Sequence, residues 1–415
     1  MTDAIHRAID AVWRIESARV IAAVARVVRD VGEAEELAGD ALVAALERWP
    51  ETGVPANPGA WLVTTARNRA LDRVRQRAMA ARKHDALTHE LSAHDDADPI
   101  AALDDELGDD LLRLVFTCCH PVLPPDARVA LTLRCVGGLT TAEIARAFVV
   151  PEPTMAQRLV RAKRALTEAK VPFEVPRGAA LAERLASVLE VIYLVFNEGY
   201  AATAGDAWTR PALCEDALRL GRIVAELAPR EPEVHGLVAL MELQASRLRA
   251  RTAADGAPIV LLEQQRGRWD RVLIARGLAA LARAAALGER PGSYVLQAEL
   301  AACHARALTA EATDWQRIVA LYGALAALTG SPIVELNRAV AVAMLDGPAA
   351  GLALVDALVA ADVLPRYHLV ASVRGDLLAR LGRVDEARAE FRRAAELTDN
   401  QRERALLAAR AEALG

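Results

Sequence analysis

An all-α fold is what this sequence predicts, and three observations predict it. Hydrophobic residues make up 53% of the 415-residue chain while aromatics make up only 4%, and alanine is abundant. Such a composition suits close-packed helices with small interfaces better than a β-rich core. Apolar residues recur three or four apart where periodicity is clearest, as in Met155, Leu159, Ala162 and Leu166, which makes one buried helical stripe. Proline and glycine are gathered into short breaks such as TGVPANPG (52–59) and VPFEVPRG (171–178), which punctuate helices. A chain of this length holds two or three domains.

Residues 1–84 are expected to form one helical domain: a helix from Thr2 to Val28, another from Glu33 through Leu46, and a long one starting near Pro58. Residues 85–106 are expected to be a mobile acidic linker, since acidic, aromatic-free sequence cannot bury enough surface to order itself. A second helical domain is expected over 107–170. Within it, GGLTTAEIARAFVVPEPTMAQRLVRAKRALTEAK (137–170) reads as a helix-turn-helix. Thr140 or Thr141 suits an N-cap, Glu143 suits the positive end of the helix dipole, and Pro151 and Pro153 end one helix and begin the next. Residues 179–415 are expected to be helical throughout. Gly375, Leu378, Gly382, Ala387, Phe391 and Ala394 stand at tetratricopeptide offsets, and Ala339, Val342, Gly351, Val355 and Leu358 match about 36 residues earlier. DGAPIVLL (255–262) reads as a short extended excursion.

Charge is arranged in blocks. The formal net charge is −5, so any nucleic-acid surface must be local. From Trp61 to His84 seven basic residues face one acid, Asp72, and from Asp85 to Asp110 there are ten acids and no Lys or Arg. A basic block followed by a helix-turn-helix is the electrostatic footprint of a DNA-binding chain. Gln157, Arg158, Arg161 and Arg164 lie off the apolar stripe, free to reach a groove and its phosphates.

Catalytic and metal chemistry find little support. His89 and His94 stand five apart, whereas a zinc-binding helix needs four so that both rings share a face. Cys118-Cys119-His120 lacks a second ligand pair, and neither a phosphate-binding loop nor a nucleophile elbow occurs. Asn197-Glu198-Gly199-Tyr200 reads as a helix end. No cofactor, metal or enzymatic activity is expected. Five scattered cysteines and the lack of an 18–20-residue apolar run point to a reducing cytoplasm.

With these motifs the chain resembles the extracytoplasmic-function sigma factors of RNA polymerase, which keep regions two and four. Its C-terminal part resembles the subgroup with a tetratricopeptide-like extension; VFNEGYAATAG (195–205) matches the start of that extension. The resemblance implies that residues 31–41 dock on the β′ clamp of core polymerase through Glu33, Glu36, Leu37 and Asp40. It implies that PGAWLVTTARNRALDRVRQR (58–77) opens and reads the melted −10 element. The residues concerned are Trp61, Arg67, Asn68, Arg69, Asp72, Arg73, Arg75 and Arg77. Asn57 in the preceding loop is a candidate partner for an extruded base, and Trp61 suits core packing more than stacking. Region four, touching the β flap, would read duplex −35 DNA through Thr154, Gln157, Arg158, Arg161, Lys163 and Arg164. Pro153, Ala156 and Gln157 depart from the residues common in such factors, so base preference at −35 does not carry over.

Promoter elements two helical turns apart are separated by roughly 70 Å, and the 26 residues from Asp85 to Asp110 extend to roughly 85 Å. The C-terminal domain is expected to regulate in cis, by gating the DNA-binding modules or by receiving a regulatory protein on a concave surface. The rival readings are a helix-turn-helix regulator acting without polymerase and a tetratricopeptide-type scaffold.

Overall fold

The computed structural model describes residues 2–84, 103–148, 150–202, 208–253, 256–288 and 290–414. Among them the fold is all-α, as the composition predicts; the strand content is a single antiparallel bridge, Thr252 to Pro258. The chain divides into two compact units, Met1–Ile192 and Tyr193–Gly415. The division falls inside a helix, not at the proline-rich 171–178 segment.

The first unit begins with α1 (Thr2–Val28), α2 (Val31–Thr52) and α3 (Pro58–His84), which pack on one another. Ile21, Leu62 and Trp49, each no more than 2% exposed, centre this layer. Asp30 caps α2 by accepting from the Glu33 amide at 2.8 Å, and Asn57 Oδ1 accepts from the Ala60 amide at 3.0 Å, capping α3. Most of the expected acidic linker, with His89 and His94, lies outside the described residues. Its end does not: α4 (Leu103–Cys118) is already helical at Leu103.

α5 (Pro125–Cys135), α6 (Thr141–Ala147) and α7 (Glu152–Glu168) complete the helix-turn-helix domain. Thr140 and Glu143 form a reciprocal capping box at the start of α6, and Pro151 precedes α7 as its cap residue. Met155, Leu159, Ala162 and Leu166 are all buried. The first half of α8 (Ala179–Tyr200) then packs onto this domain. There Arg128 donates to Ser187 Oγ at 2.5 Å and to Glu190 at 3.0 Å, Ser187 donates to the Cys119 carbonyl, and Arg184 donates to the Phe116 carbonyl.

The second unit continues through α9 (Pro211–Leu227), α10 (Pro232–Ala245), α11 (Arg271–Leu287), α12 (Ser293–Arg306) and α13 (Trp315–Thr329). It ends with α14 (Pro332–Leu345), α15 (Pro348–Ala360), α16 (His368–Arg380), α17 (Val384–Leu397) and α18 (Gln401–Glu412). The two tetratricopeptide-like repeats are the α14–α15 and α16–α17 hairpins. A Cβ on Gly351 would lie 2.5 Å from the Ala343 Cβ, and one on Gly375 3.1 Å from the Phe391 ring, so glycine lets each pair of backbones close up. Asn197-Glu198-Gly199-Tyr200 is the end of α8, as expected, and a Cβ at Gly199 would meet the Cys214 amide at 2.7 Å.

Candidate polymerase and nucleic-acid interface

On α2, Glu36 and Asp40 are exposed and Glu33 is partly so. Leu37 requires a correction: it is 3% exposed and shares the buried stripe with Ala34, Ala38 and Ala41, because it sits three residues from Ala34 and four from Ala41. It supports the acidic face from within and is not presented to a docking partner. On α3, Arg67, Asn68, Asp72, Arg73, Arg75 and Arg77 are exposed and Arg69 partly so. The Trp61 ring packs edge-on against Trp49, with centroids 5.4 Å apart and planes at 69°. The Asn57 carboxamide oxygen is committed to its capping bond.

The two helices neutralise each other. Arg77 pairs with Glu33 at 2.7 Å and Arg69 with Asp40 at 3.7 Å, while Asp72 pairs with Arg75 on its own helix at 3.5 Å. Two of the acids read as polymerase contacts, Glu33 and Asp40, are thus the partners of two of the arginines read as DNA contacts, Arg77 and Arg69.

On α7, Thr154, Gln157, Arg161 and Arg164 are exposed and spaced so that they share one face. Val160, 63% exposed, belongs to that same face. Sequence reading leaves it out because only polar and charged residues off the buried stripe read as DNA contacts. An exposed aliphatic group on a recognition helix suits contact with a thymine methyl. Arg158 and Lys163 lie on the flanks. Arg158 reaches Asp126 of α5 at 3.7 Å, and Lys163 pairs with Glu35 of α2.

Glu35 went unnoticed in the sequence, yet it holds the first and second helical domains of this unit together. Its side chain is 12% exposed, accepts from Arg134 Nε at 2.5 Å and pairs with Lys163. Burial pushes its pKa up, but Lys163 and then Arg134 outweigh that and hold the carboxyl below the ordinary glutamate value. Around it, Thr167 Oγ1 donates to Asp30 Oδ2 at 2.6 Å, and Arg14 pairs with Glu143 at 2.6 Å.

All five cysteines are buried free thiols, and burial raises the Cys119 pKa to about 11. Among the described residues no group of three potential metal ligands converges, and no helix is long and apolar enough to cross a membrane.

A helical domain with a basic face, joined to a capped helix-turn-helix, is the architecture of a DNA-binding protein. Residues 14–79 match the family model for Sigma-70 region 2, and residues 113–166 match Sigma-70, region 4. Residues 184–285 match a family of unknown function, DUF6596. The chain is 32% identical over 155 residues to the ECF RNA polymerase sigma factor SigK of Mycobacterium ulcerans (strain Agy99), covering 36% of this chain and 78% of that protein. It belongs to the ECF sigma factors and carries an additional C-terminal helical region. It is also 44% identical over 394 residues to R00370, an uncharacterized protein of Rhizobium meliloti (strain 1021), covering 94% of this chain and 92% of that protein. Core RNA polymerase and promoter DNA follow as its partners.

Proposed function

We propose that this sigma factor engages the β′ clamp through the exposed acids Glu36 and Asp40, with Glu33 released from Arg77. The melted −10 element then lies along Arg67, Asn68, Arg69, Asp72, Arg73, Arg75 and Arg77, and the β flap meets region four. Duplex −35 DNA takes the α7 face of Thr154, Gln157, Val160, Arg161 and Arg164, with Arg158 and Lys163 at its edge. The C-terminal region acts in cis on promoter choice or activity. The carrying observation is the pair of basic faces on α3 and α7, one in each sigma region.

Simultaneous use of both faces carries a geometric requirement. The −10 and −35 elements lie roughly 70 Å apart, whereas Glu35 of α2 touches Lys163 of α7 directly. Regions two and four therefore part when the factor loads onto a promoter. Run-off transcription with core polymerase tests the assignment, comparing the full chain with one ended after Tyr200, which keeps α8 whole. The full chain is expected to yield promoter-specific transcripts that Arg67→Gln with Arg73→Gln abolishes. Equal promoter strength and selection by the shortened chain would remove the cis role, and failure of the full chain to bind core polymerase would remove the whole assignment.

A further inference from the structure

Two stretches that promoter reading leaves unused come together inside the C-terminal unit: the helix end at Tyr200, and the residues Gln264 to Trp269 that follow DGAPIVLL. The Arg251 guanidinium lies 3.7 Å from the Tyr200 ring centroid, and Arg247 lies 5.9 Å from the same ring. Arg247 is also 5.7 Å from Trp269, which Arg266 approaches to 5.1 Å, and Trp208 flanks Arg251 at 5.4 Å. Cations and rings alternate along one ladder. It is deeply buried, with Arg247 and Arg266 each 6% exposed and Trp269 3% exposed.

A buried guanidinium is ordinarily matched by a carboxylate. Here, among the described residues, the hydrogen-bond acceptors are all neutral. Arg247 donates to Gln244, Arg251 to the Tyr200 carbonyl, and Arg266 to the His304 and Ala307 carbonyls and Thr313 Oγ1. The exposed Glu311 attracts Arg266 without forming an ion pair. Ring faces recover only part of the hydration a buried cation gives up. The Nε atoms of all three arginines and the indole Nε1 atoms of Trp208 and Trp269 are buried without an acceptor. Against these five donors stands one orphaned acceptor oxygen nearby, Gln264 Oε1. His304 adds no charge: burial, then Arg247 and Arg266, press its pKa down to about 3.

Two buried cations, a third partly buried, and five unused N–H groups make a site that is short of oxygen and of negative charge among the described residues. We propose that this ladder binds a small polyvalent oxyanion, the phosphate or carboxylate of a soluble ligand, which makes the C-terminal unit a receptor for an anionic effector. Arg251 is less buried than the other two, and Arg247, shared by the Tyr200 and Trp269 rings, carries the central charge. Guanidinium is the group best suited to such recognition because its planar donors match two oxygens at once.

The test is calorimetric titration of the full chain with inorganic phosphate and, separately, with citrate, against potassium chloride at matched ionic strength. At least one oxyanion is expected to bind with a Kd below about 1 mM and to raise the unfolding midpoint by about 5 °C at saturation. Phosphate binding without citrate binding identifies a phosphorylated ligand, and the reverse a carboxylate. Arg247→Met and Arg251→Gln are expected to weaken binding at least tenfold, while Arg73→Gln with Arg75→Gln, on the DNA-binding helix, leaves it unchanged. Should Arg247→Met misfold, Arg251→Gln carries the decision alone. No binding of either oxyanion beyond the chloride control overturns the proposal, and so does binding that is lost with the α3 arginines and kept without Arg251.

Discussion

Replacing Glu35 by Gln should open the closed arrangement of regions two and four. The substitution keeps the shape of the side chain and removes the charge that faces Arg134 and Lys163. Exposed ion pairs contribute about 0–1 kcal/mol, and removing one partner of a fully buried pair costs about 3–5 kcal/mol. Glu35 is 12% exposed and its partners 32% and 23%, so a loss of about 1–2 kcal/mol is expected. That moves the equilibrium between closed and open forms about 5- to 30-fold toward open. A protein whose competent form is a minor population binds more tightly by the factor that population gains. Glu35→Gln should therefore tighten core polymerase binding by up to that factor in a DNA-free fluorescence titration. Lys163→Met removes the same contact from the α7 side, away from the acidic face of α2, and should tighten binding comparably, with the double variant adding little. If Glu35→Gln weakens binding while Lys163→Met changes nothing, Glu35 acts at the clamp and the closure argument fails. The pair also has a pH signature. Because the folded pKa lies below the ordinary 4.5, its contribution is complete above that value and disappears as pH falls through the lower folded one. Hydrogen exchange at α2 and α7 should accelerate in that acid window, and Glu35→Gln should remove the acid dependence of that acceleration.

Each of Arg67→Gln and Arg73→Gln should reduce the slope of log affinity against log salt for single-stranded −10 DNA by about 0.7, read by fluorescence anisotropy; an unchanged slope takes that side chain off the phosphates. Val160→Asn should change preference at one −35 position by about 1–3 kcal/mol, read from a randomised promoter library, and an unchanged preference profile would remove Val160 from the DNA face. Gly351→Ala places a Cβ 2.5 Å from Ala343 and 2.7 Å from the Ala339 carbonyl, so it should cost about 1–3 kcal/mol of stability in denaturant melts. An unchanged midpoint would show that α14 and α15 do not need their close approach.

Local signals carried far in this chain, and pairings between distant segments did not. Thr140 and Glu143 announce α6 because a capping box is complete within four residues. Met155 through Leu166 announce the buried side of α7 for the same reason of proximity. Glu35, by contrast, sits in the sequence as one acid among Glu33, Glu36 and Asp40. Its meaning comes from Arg134 and Lys163, 99 and 128 positions away, and no helical spacing encodes that. Family resemblance places Leu37 at the clamp, and its stripe of alanines, Ala34, Ala38 and Ala41, is too weakly hydrophobic to mark it as core in the sequence. The helices before α14 are present as expected, but how they pair was not legible: α10 buries nearly its whole circumference, His235 and Glu242 included, so no polar face tells which neighbour it packs on. The arginine ladder was invisible for a different reason. Arg247, Arg251 and Arg266 read as solvated charges until the fold removes them from water.

Internal pairing reconciles a chain of net charge −5 with a DNA-binding role. In the free factor Glu33 and Asp40 cover Arg77 and Arg69, and Glu35 covers Lys163, so part of each basic surface is masked by an acid from α2. Exposed pairs such as Arg69 with Asp40 contribute little stability, which means that exchanging the acid for a phosphate costs little. The trade becomes favourable when many phosphates are offered together and their counterions are released. If α2 docks on polymerase as proposed, the acids are withdrawn at the same step, since one side chain cannot satisfy both partners. Polymerase binding and DNA binding are then coupled through shared carboxylates, without any need for a shape change inside region two. The coupling is reciprocal: neutralising Asp40 and Glu33 together should strengthen binding to free DNA while weakening the grip on core polymerase. Loss of both affinities would show that the acids only stabilise α3.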